Sequence, residues 1–174
     1  MGATPELPHV AIARKYVGLN EIKGSKHNPT ILALTAKAFA ATGKKSWIHD
    51  DETPWCGSFV GGVFAEAGLG SKIPKEFYRA KEWESAGTKL IRPAYGCVVT
   101  FTRDGGGHVG IVVGKTKTGM LKVLGGNQSD AVNIADFDPK RVTSYRWVSS
   151  GSVPQEHRYE LPVLAAGRIS TNEA

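Results

Sequence analysis

The chain contains 174 residues, of which 41% are hydrophobic and 22% are charged. This length suits one compact domain, and the composition excludes wholesale disorder. The 22 Lys and Arg residues exceed the 16 Asp and Glu residues, giving a net charge of +6. The positive excess favours an acidic partner, namely nucleic acid, an anionic membrane or a bacterial wall.

Two of these partner classes find little support along the chain. No stretch approaches the roughly 18 apolar residues of a membrane span, so we expect no membrane insertion. Residues 1–7 lack a basic leader followed by an apolar run, so we expect no signal peptide. The basic residues are dispersed, and no basic helix is interleaved with aromatics, which argues against nucleic acid.

The first half of the chain has helical spacing of apolar residues in three segments. Helices are predicted over residues 8–17 and 30–42, with Pro29 at the start of the second and Gly43 after its end. A third, buried helix carries Cys56 in its first turn and ends at Gly68. Its internal pair, Gly61 and Gly62, costs helix propensity but permits very close packing.

The second half changes to strand-like patterns. Strands are predicted over residues 96–101, 108–113, 120–124 and 144–148, with a hairpin turn at residues 115–119. Helices followed by strands predict an α+β fold with an antiparallel sheet. We assign residues 1–150 to a single domain and residues 151–174 to a C-terminal extension or tail.

Two cysteines are too few for a disulfide framework or a pair of zinc-ligand pairs, although a single bridge stays open. Cys56 follows Pro54 at the start of the third helix. Free N–H groups and the helix dipole at that position lower a thiol pKa from about 8.5, which favours the reactive thiolate. We expect Cys56 to be a nucleophile and Cys97 a core thiol; a buried structural role is the alternative for Cys56.

A nucleophilic thiol requires an imidazole as proton acceptor. His108 follows a run of glycines and opens an apolar strand, whereas the other four histidines lie in polar or terminal contexts. If the hairpin turn is centred between residues 117 and 118, Asn127 faces His108 and orients its ring. A slip of one residue would turn Asn127 away, leaving Gln128 or Asp130 for this role.

These motifs together resemble a known family. The sequences Thr-Pro-Trp-Cys at residues 53–56, Gly-His-Val-Gly at 107–110 and Leu-Gly-Gly-Asn-Gln at 124–128 are similar to papain-like peptidoglycan hydrolases. These enzymes are related to CHAP and NlpC-like domains and are often carried by phages and prophages. The resemblance covers about residues 8–148.

The resemblance implies a papain-like fold in which N-terminal helices pack on an antiparallel sheet and the nucleophile begins a buried helix. Cys56 would be the nucleophile, His108 the base and Asn127 the orienting residue. The reaction would cleave an amide bond of the wall peptide, as an endopeptidase or an N-acetylmuramoyl-L-alanine amidase, without a cofactor. Many CHAP relatives carry Glu two positions before the Asn, where this chain has Gly125.

Six further residues are predicted to line the cleft and bind substrate: Glu21, Asp51, Glu52, Trp55, Tyr78 and Gln128. The simpler interpretations are a solvated acidic loop and ordinary core aromatics. The acidic cluster at residues 50–52 lacks the ligand spacing of an EF-hand, so no metal site is expected.

Three other functions compete with this one. A zinc hydrolase would use His9, His27, His49 or His108, but none of the usual zinc spacings is present. A wall-binding module without catalysis and an acyltransferase with the same Cys–His pair are the others. As a phage-type endolysin, the protein would be a monomer that accumulates in the host cytoplasm and needs a holin to reach the periplasm or wall. A virion-associated hydrolase or a secreted toxin fits the same motifs.

Overall fold

The computed structural model describes residues 5–103 and 105–170. Its α-helices are α1 (Pro8–Lys15), α2 (Pro29–Ala41) and α3 (Cys56–Glu66). Proline stands at the first position of α1 and of α2, where its missing N–H costs nothing. A glycine with positive φ follows each of the three helices, which confirms the predicted stops.

The strands lie in the second half of the chain and form one antiparallel sheet within the described ranges. They are β1 (Thr88–Leu90), β2 (Val98–Arg103), β3 (Gly106–Lys115), β4 (Leu121–Gly125), β5 (Asn133–Phe137) and β6 (Val142–Trp147). Their order in the sheet is β1-β6-β2-β3-β4-β5. The predicted α+β class with an antiparallel sheet is therefore confirmed, while β1 and β5 were not predicted.

The helices pack against one face of this sheet, and α3 is the central one. Its apolar side chains join Val98, Val109 and Ile111 in one buried cluster. Helix α2 approaches α3 closely because Gly62 has no side chain: a Cβ there would lie 2.6 Å from the carbonyl oxygen of Leu34. The predicted role of the glycine pair in close packing is confirmed.

The opposite face of the sheet is also buried. Val99, Phe101, Val112 and Phe137 form a second cluster there, with Leu161 from the C-terminal segment packed among them. Strand β3 thus alternates between the two clusters, and successive residues point to opposite faces.

The C-terminal segment at residues 151–170 runs along the edge of the fold. The backbone N–H of Lys115 donates to Pro162, and that of Asp136 donates to Arg168. Residues 171–174 of the predicted extension lie outside the described residues, and the boundary at residue 150 stays a prediction.

Across residues 5–103 and 105–170, no helix has the length and apolar character needed to cross a membrane.

Candidate active site

Cys56 is the first residue of α3, as predicted, and 4% of it is exposed. The preceding Trp55 makes no side-chain cap, so the N–H groups of the first turn stay directed at the thiol. Burial raises the pKa of the Cys56 thiol, and the N–H groups of Val109, Gly57 and Cys56 itself act in the opposite direction. The effect of burial is the larger one, so the pKa of Cys56 is raised and the expected lowering does not occur.

His108 lies on β3 and is fully buried. Its ring packs against Phe137, at a centroid distance of 5.5 Å, and Phe101, at 6.1 Å, and these two rings stack on each other at 4.5 Å. Nε2 lies 3.0 Å from Oε1 of Gln128, whereas Nδ1 has no hydrogen-bond partner among the described residues. Burial lowers the pKa of His108 to about 4, so the imidazole is neutral at pH 7.

The backbone of β3 connects these two groups. Val109 follows His108 and belongs to the cluster beneath α3, and its N–H acts on the Cys56 thiol. The thiol therefore lies against the strand at Val109. The imidazole packs on Phe101 and Phe137 of the second cluster, on the other face of the sheet, so the pairing of the thiol with the imidazole stays a prediction. Neither side chain opens to a solvent-filled groove, because both are buried.

Asn127 does not take the orienting position that the sequence predicted. The predicted register is present further along the hairpin, where Ile111 pairs with Leu124 and Val112 with Val123. Strand β4 ends at Gly125, however, and Asn127 adopts a left-handed backbone conformation with φ +58°. The chain leaves the sheet before Asn127 comes opposite His108, so Gln128 contacts the ring instead.

Gln128 is 1% exposed, and its amide group is held from several sides. Nε2 donates to the carbonyl oxygens of Val123 at 3.2 Å and Asn133 at 3.0 Å, and to Oδ1 of Asn133 at 2.8 Å. Gly125 makes room for this amide, since a Cβ there would overlap Oε1 of Gln128. The prediction that Gln128 binds substrate is therefore corrected: its polar atoms are already committed inside the protein.

Asp51 is also corrected, because it is fully buried. Burial alone would raise the pKa of this carboxyl, but hydrogen bonds from the N–H groups of Ile22 and Asn28 and from His27 lower it. These bonds are 2.8, 2.7 and 3.0 Å long. Asp51 thus fixes the loop between α1 and α2 and is not presented to a substrate.

Glu21, Trp55 and Glu52 surround the start of α3. The indole of Trp55 donates to Glu21 at 3.1 Å, and its ring lies over Gly126, where a Cβ would be only 2.6 Å away. Burial raises the pKa of Glu21. Glu52 is exposed and accepts from the N–H of Gly24 at 2.8 Å, whereas Trp55 is buried. The predicted contacts of Glu21, Trp55 and Glu52 with substrate stay predictions.

Tyr78 is half-buried and lies beside the start of α3, because a Cβ on Gly57 would be 3.2 Å from its backbone. Its ring packs edge to face with Trp47 at a centroid distance of 5.2 Å. Trp47 is 60% exposed. The two rings form an accessible aromatic surface, and the predicted contact of Tyr78 with substrate stays a prediction.

Sequence reasoning missed two residues of this site. Arg103 ends β2, and its positive charge favours the thiolate of Cys56 and the neutral form of His108. Asn133 begins the unpredicted strand β5 and holds Gln128. A basic residue that ends a strand just before a glycine run was a visible signal for Arg103, whereas nothing local indicated Asn133.

The two cysteines are both free. Cys97 lies in the second cluster, on the other side of the sheet from Cys56, and burial raises the pKa of Cys97 to about 12. This agrees with the predicted core thiol. Within the described ranges, no three His, Cys, Asp or Glu side chains are grouped to hold a metal ion.

Comparison with known proteins gives one match. Residues 48–127 match the CHAP domain family, and this stretch includes Cys56, His108 and Asn127. No curated protein and no solved structure matches the chain. Residues 48–127 are therefore similar to a CHAP domain, and the α+β architecture of the chain, with a cysteine at the start of the buried helix, is compatible with the papain-like fold of cysteine peptidoglycan hydrolases.

Proposed function

We propose that this protein hydrolyses an amide bond of bacterial wall peptide, with Cys56 as nucleophile and His108 as base. CHAP domains are typically cysteine- and histidine-dependent amidohydrolases of peptidoglycan. The observation that carries the proposal is the position of the Cys56 thiol at the start of a buried helix and against β3, within the stretch that matches the CHAP family.

The proposed reaction uses these two side chains. Nδ1 of His108 takes the thiol proton as Sγ bonds to the peptide carbonyl carbon. The N–H groups of Cys56 and Gly57 at the start of α3 stabilise the resulting oxyanion. The C–N bond then breaks, and the imidazolium gives its proton to the leaving amine. Water, activated by the same imidazole, releases the acyl group from sulfur.

Burial favours the neutral thiol and the neutral imidazole, so the resting pair is uncharged. Proton transfer therefore accompanies attack and does not precede substrate binding. Because both side chains are buried, the wall peptide reaches the thiol only when a neighbouring segment moves. The exposed residues Gly105 and Gly106, which precede Gly107 and His108, are suited to such a movement.

We also propose the setting of a phage-type endolysin. It would gather in the host cytoplasm and meet its substrate after a holin opens the membrane. The order of the cysteine, histidine and Gly-Gly-Asn-Gln motifs supports this setting through its resemblance to phage-borne enzymes. The net charge of +6 would hold the protein near anionic wall polymers.

The test compares purified peptidoglycan digested by the wild type, by Cys56→Ala and by Cys97→Ala. We expect Cys56→Ala to lower the rate by more than about 10³-fold and Cys97→Ala to leave it largely unchanged, since only the first removes the nucleophile. Mass spectrometry of the fragments identifies the new amine and carboxyl ends, and thus which amide bond is cut.

The same digest separates the alternatives. A thiol alkylator, but not a chelator, should abolish activity, and the reverse result would indicate a zinc hydrolase. Acyl groups transferred to an added amine would indicate an acyltransferase. Wall binding by the wild type and by Cys56→Ala without any new ends would indicate a binding module and overturn the proposed hydrolysis.

A further inference from the structure

A series of hydrogen bonds from Asn133 through Gln128 determines which nitrogen of the His108 imidazole carries the proton. The series begins with the orientation of the Asn133 side-chain amide. Its Nδ2 lies 2.8 Å from the backbone carbonyl oxygen of Gln128. A carbonyl oxygen only accepts, so the amide group of Asn133 has a fixed orientation, with Oδ1 directed at the side chain of Gln128.

The orientation of Gln128 follows from this. Its amide nitrogen faces Oδ1 of Asn133 and the carbonyl oxygens of Asn133 and Val123, all of them acceptors. Rotating the amide by 180° would set its oxygen against these three acceptors and leave them unsatisfied in a buried site. Oε1 of Gln128 must therefore be the atom that faces His108.

The last step fixes the position of the proton on the imidazole of His108. Oε1 of Gln128 accepts, so the ring nitrogen 3.0 Å away must donate, and the proton of the neutral imidazole resides on Nε2. We propose that Asn133 and Gln128 hold His108 in the Nε2-protonated tautomer, which keeps Nδ1 unprotonated and makes it the ring atom that can accept a proton. This inference rests on the proposed function only for the identity of the proton donor.

Gln128 and Asn133 are thus positioning residues that act through the ring. Gly125 is part of the same arrangement, because a side chain at this position would displace the amide of Gln128. The predicted orienting residue, Asn127, contacts neither ring nitrogen, since Nε2 is bonded to Gln128 and Nδ1 has no partner in the part of the chain that the structure describes.

The direct test is long-range nitrogen–proton NMR of the imidazoles in uniformly labelled wild-type protein, with His108 assigned by comparison with His108→Gln. We expect a neutral His108 at pH 7 with a protonated Nε2 and an unprotonated Nδ1. Protonation of Nδ1 in the wild type would overturn the inference. This readout needs no turnover, so its failure is distinct from a failure of the hydrolase proposal.

The kinetic test uses Gln128→Met, which keeps an unbranched side chain of similar length but removes the acceptor. We expect activity to fall by about tenfold or more, because the ring loses its tautomer preference. Loss of the Nε2-protonated signal should accompany this fall. Gln155→Met, the same exchange at an exposed position, is the control and should change neither quantity.

A second variant keeps the test decisive if Gln128→Met fails to fold. In Gln128→Glu the carboxyl group retains an acceptor for Nε2, and when ionised it stabilises the imidazolium, so the acid limb of the pH–rate profile should move to higher pH. A merely structural role for residue 128 would change the amount of folded protein and leave this limb in place, which would contradict the inference.

Discussion

At the residue scale, histidine is the side chain whose burial has the clearest measurable consequence. His9 is fully buried like His108, stacks on Phe64 at 4.6 Å and lies with Nε2 2.8 Å from the carbonyl oxygen of Gly96. Its Nδ1 has no partner within residues 5–103 and 105–170. Burial lowers the pKa of each histidine to about 4, from an ordinary value of 6.5.

This difference predicts acid-sensitive stability. Between pH 6.5 and about 4 the unfolded chain binds protons that the folded chain does not. The free energy of unfolding should therefore fall as the pH is lowered through this window, and these two groups should add no slope above it. Urea unfolding at a series of pH values measures the slope.

The variant His9→Phe keeps the stacked ring and removes one of the two titrating groups. It should show a shallower slope between pH 4 and 6.5 than the wild type, with the remainder due to His108. An unchanged slope would mean that His9 is protonated inside the folded protein and that its surroundings are more polar than the structure indicates.

The residues of the site differ in how far the sequence predicts them. Local patterns predict both Cys56 and His108. Cys56 stands at a helix start, and His108 follows a glycine run and opens an apolar strand. Gln128 replaces Asn127 because the chain leaves β4 two residues before Asn127, at Gly125. That departure depends on Gly125 accommodating the Gln128 amide, a packing relation that no local pattern contains.

At the element scale, the helices were predicted more accurately than the strands, because the sequence signals for helix starts and ends are local. Proline at helix starts and glycine at helix ends act within one turn of chain. Strand β1 has only three residues and depends on pairing with β6, which follows it by more than fifty residues in the chain. Strand β3 contains a register shift between Val112 and Gly114 that alters the pairing near the turn. Such features arise from partners and not from propensity.

Helix α3 offers a test in which propensity and packing predict opposite signs. Replacing Gly62 with Ala should stabilise an isolated helix by about 1 kcal/mol. In this protein the new Cβ would lie 2.6 Å from the backbone oxygen of Leu34, which cannot rotate away. We expect Gly62→Ala to lower the free energy of unfolding by about 1–3 kcal/mol, as overpacked cores do.

The matched control is Ala36→Gly on the exposed side of α2, which isolates the propensity effect at about 1 kcal/mol of destabilisation. Chemical unfolding of the two variants measures both quantities. A stabilised Gly62→Ala protein would show that α2 and α3 are farther apart than the structure places them.

At the scale of the whole molecule, the C-terminal segment completes the second buried face of the sheet. The same segment also passes beside Lys122 and Asp136, which form an ion pair of 2.6 Å and have exposures of 5% and 1%. The other oxygen of Asp136 accepts from the N–H of Gly167 at 2.8 Å. Two charges this deeply buried need such partners, because removing one of them leaves an unpaired buried charge, which lowers the free energy of unfolding.

Deleting residues 161–174 should therefore destabilise the domain, although the deletion leaves every helix and strand of the sheet intact. Leu161 would leave the second cluster, and Asp136 would lose the N–H of Gly167. We expect the free energy of unfolding to fall by at least about 3 kcal/mol, from the lost apolar burial and the weakened ion pair.

Urea unfolding of the truncated and full chains measures the difference, and Val153→Ala, at a position 61% exposed, is the control that should change little. Equal stabilities of the two chains would mean that the sheet carries its second cluster without this cover. Residues 161–174 would then be a tail that the domain does not need for its stability.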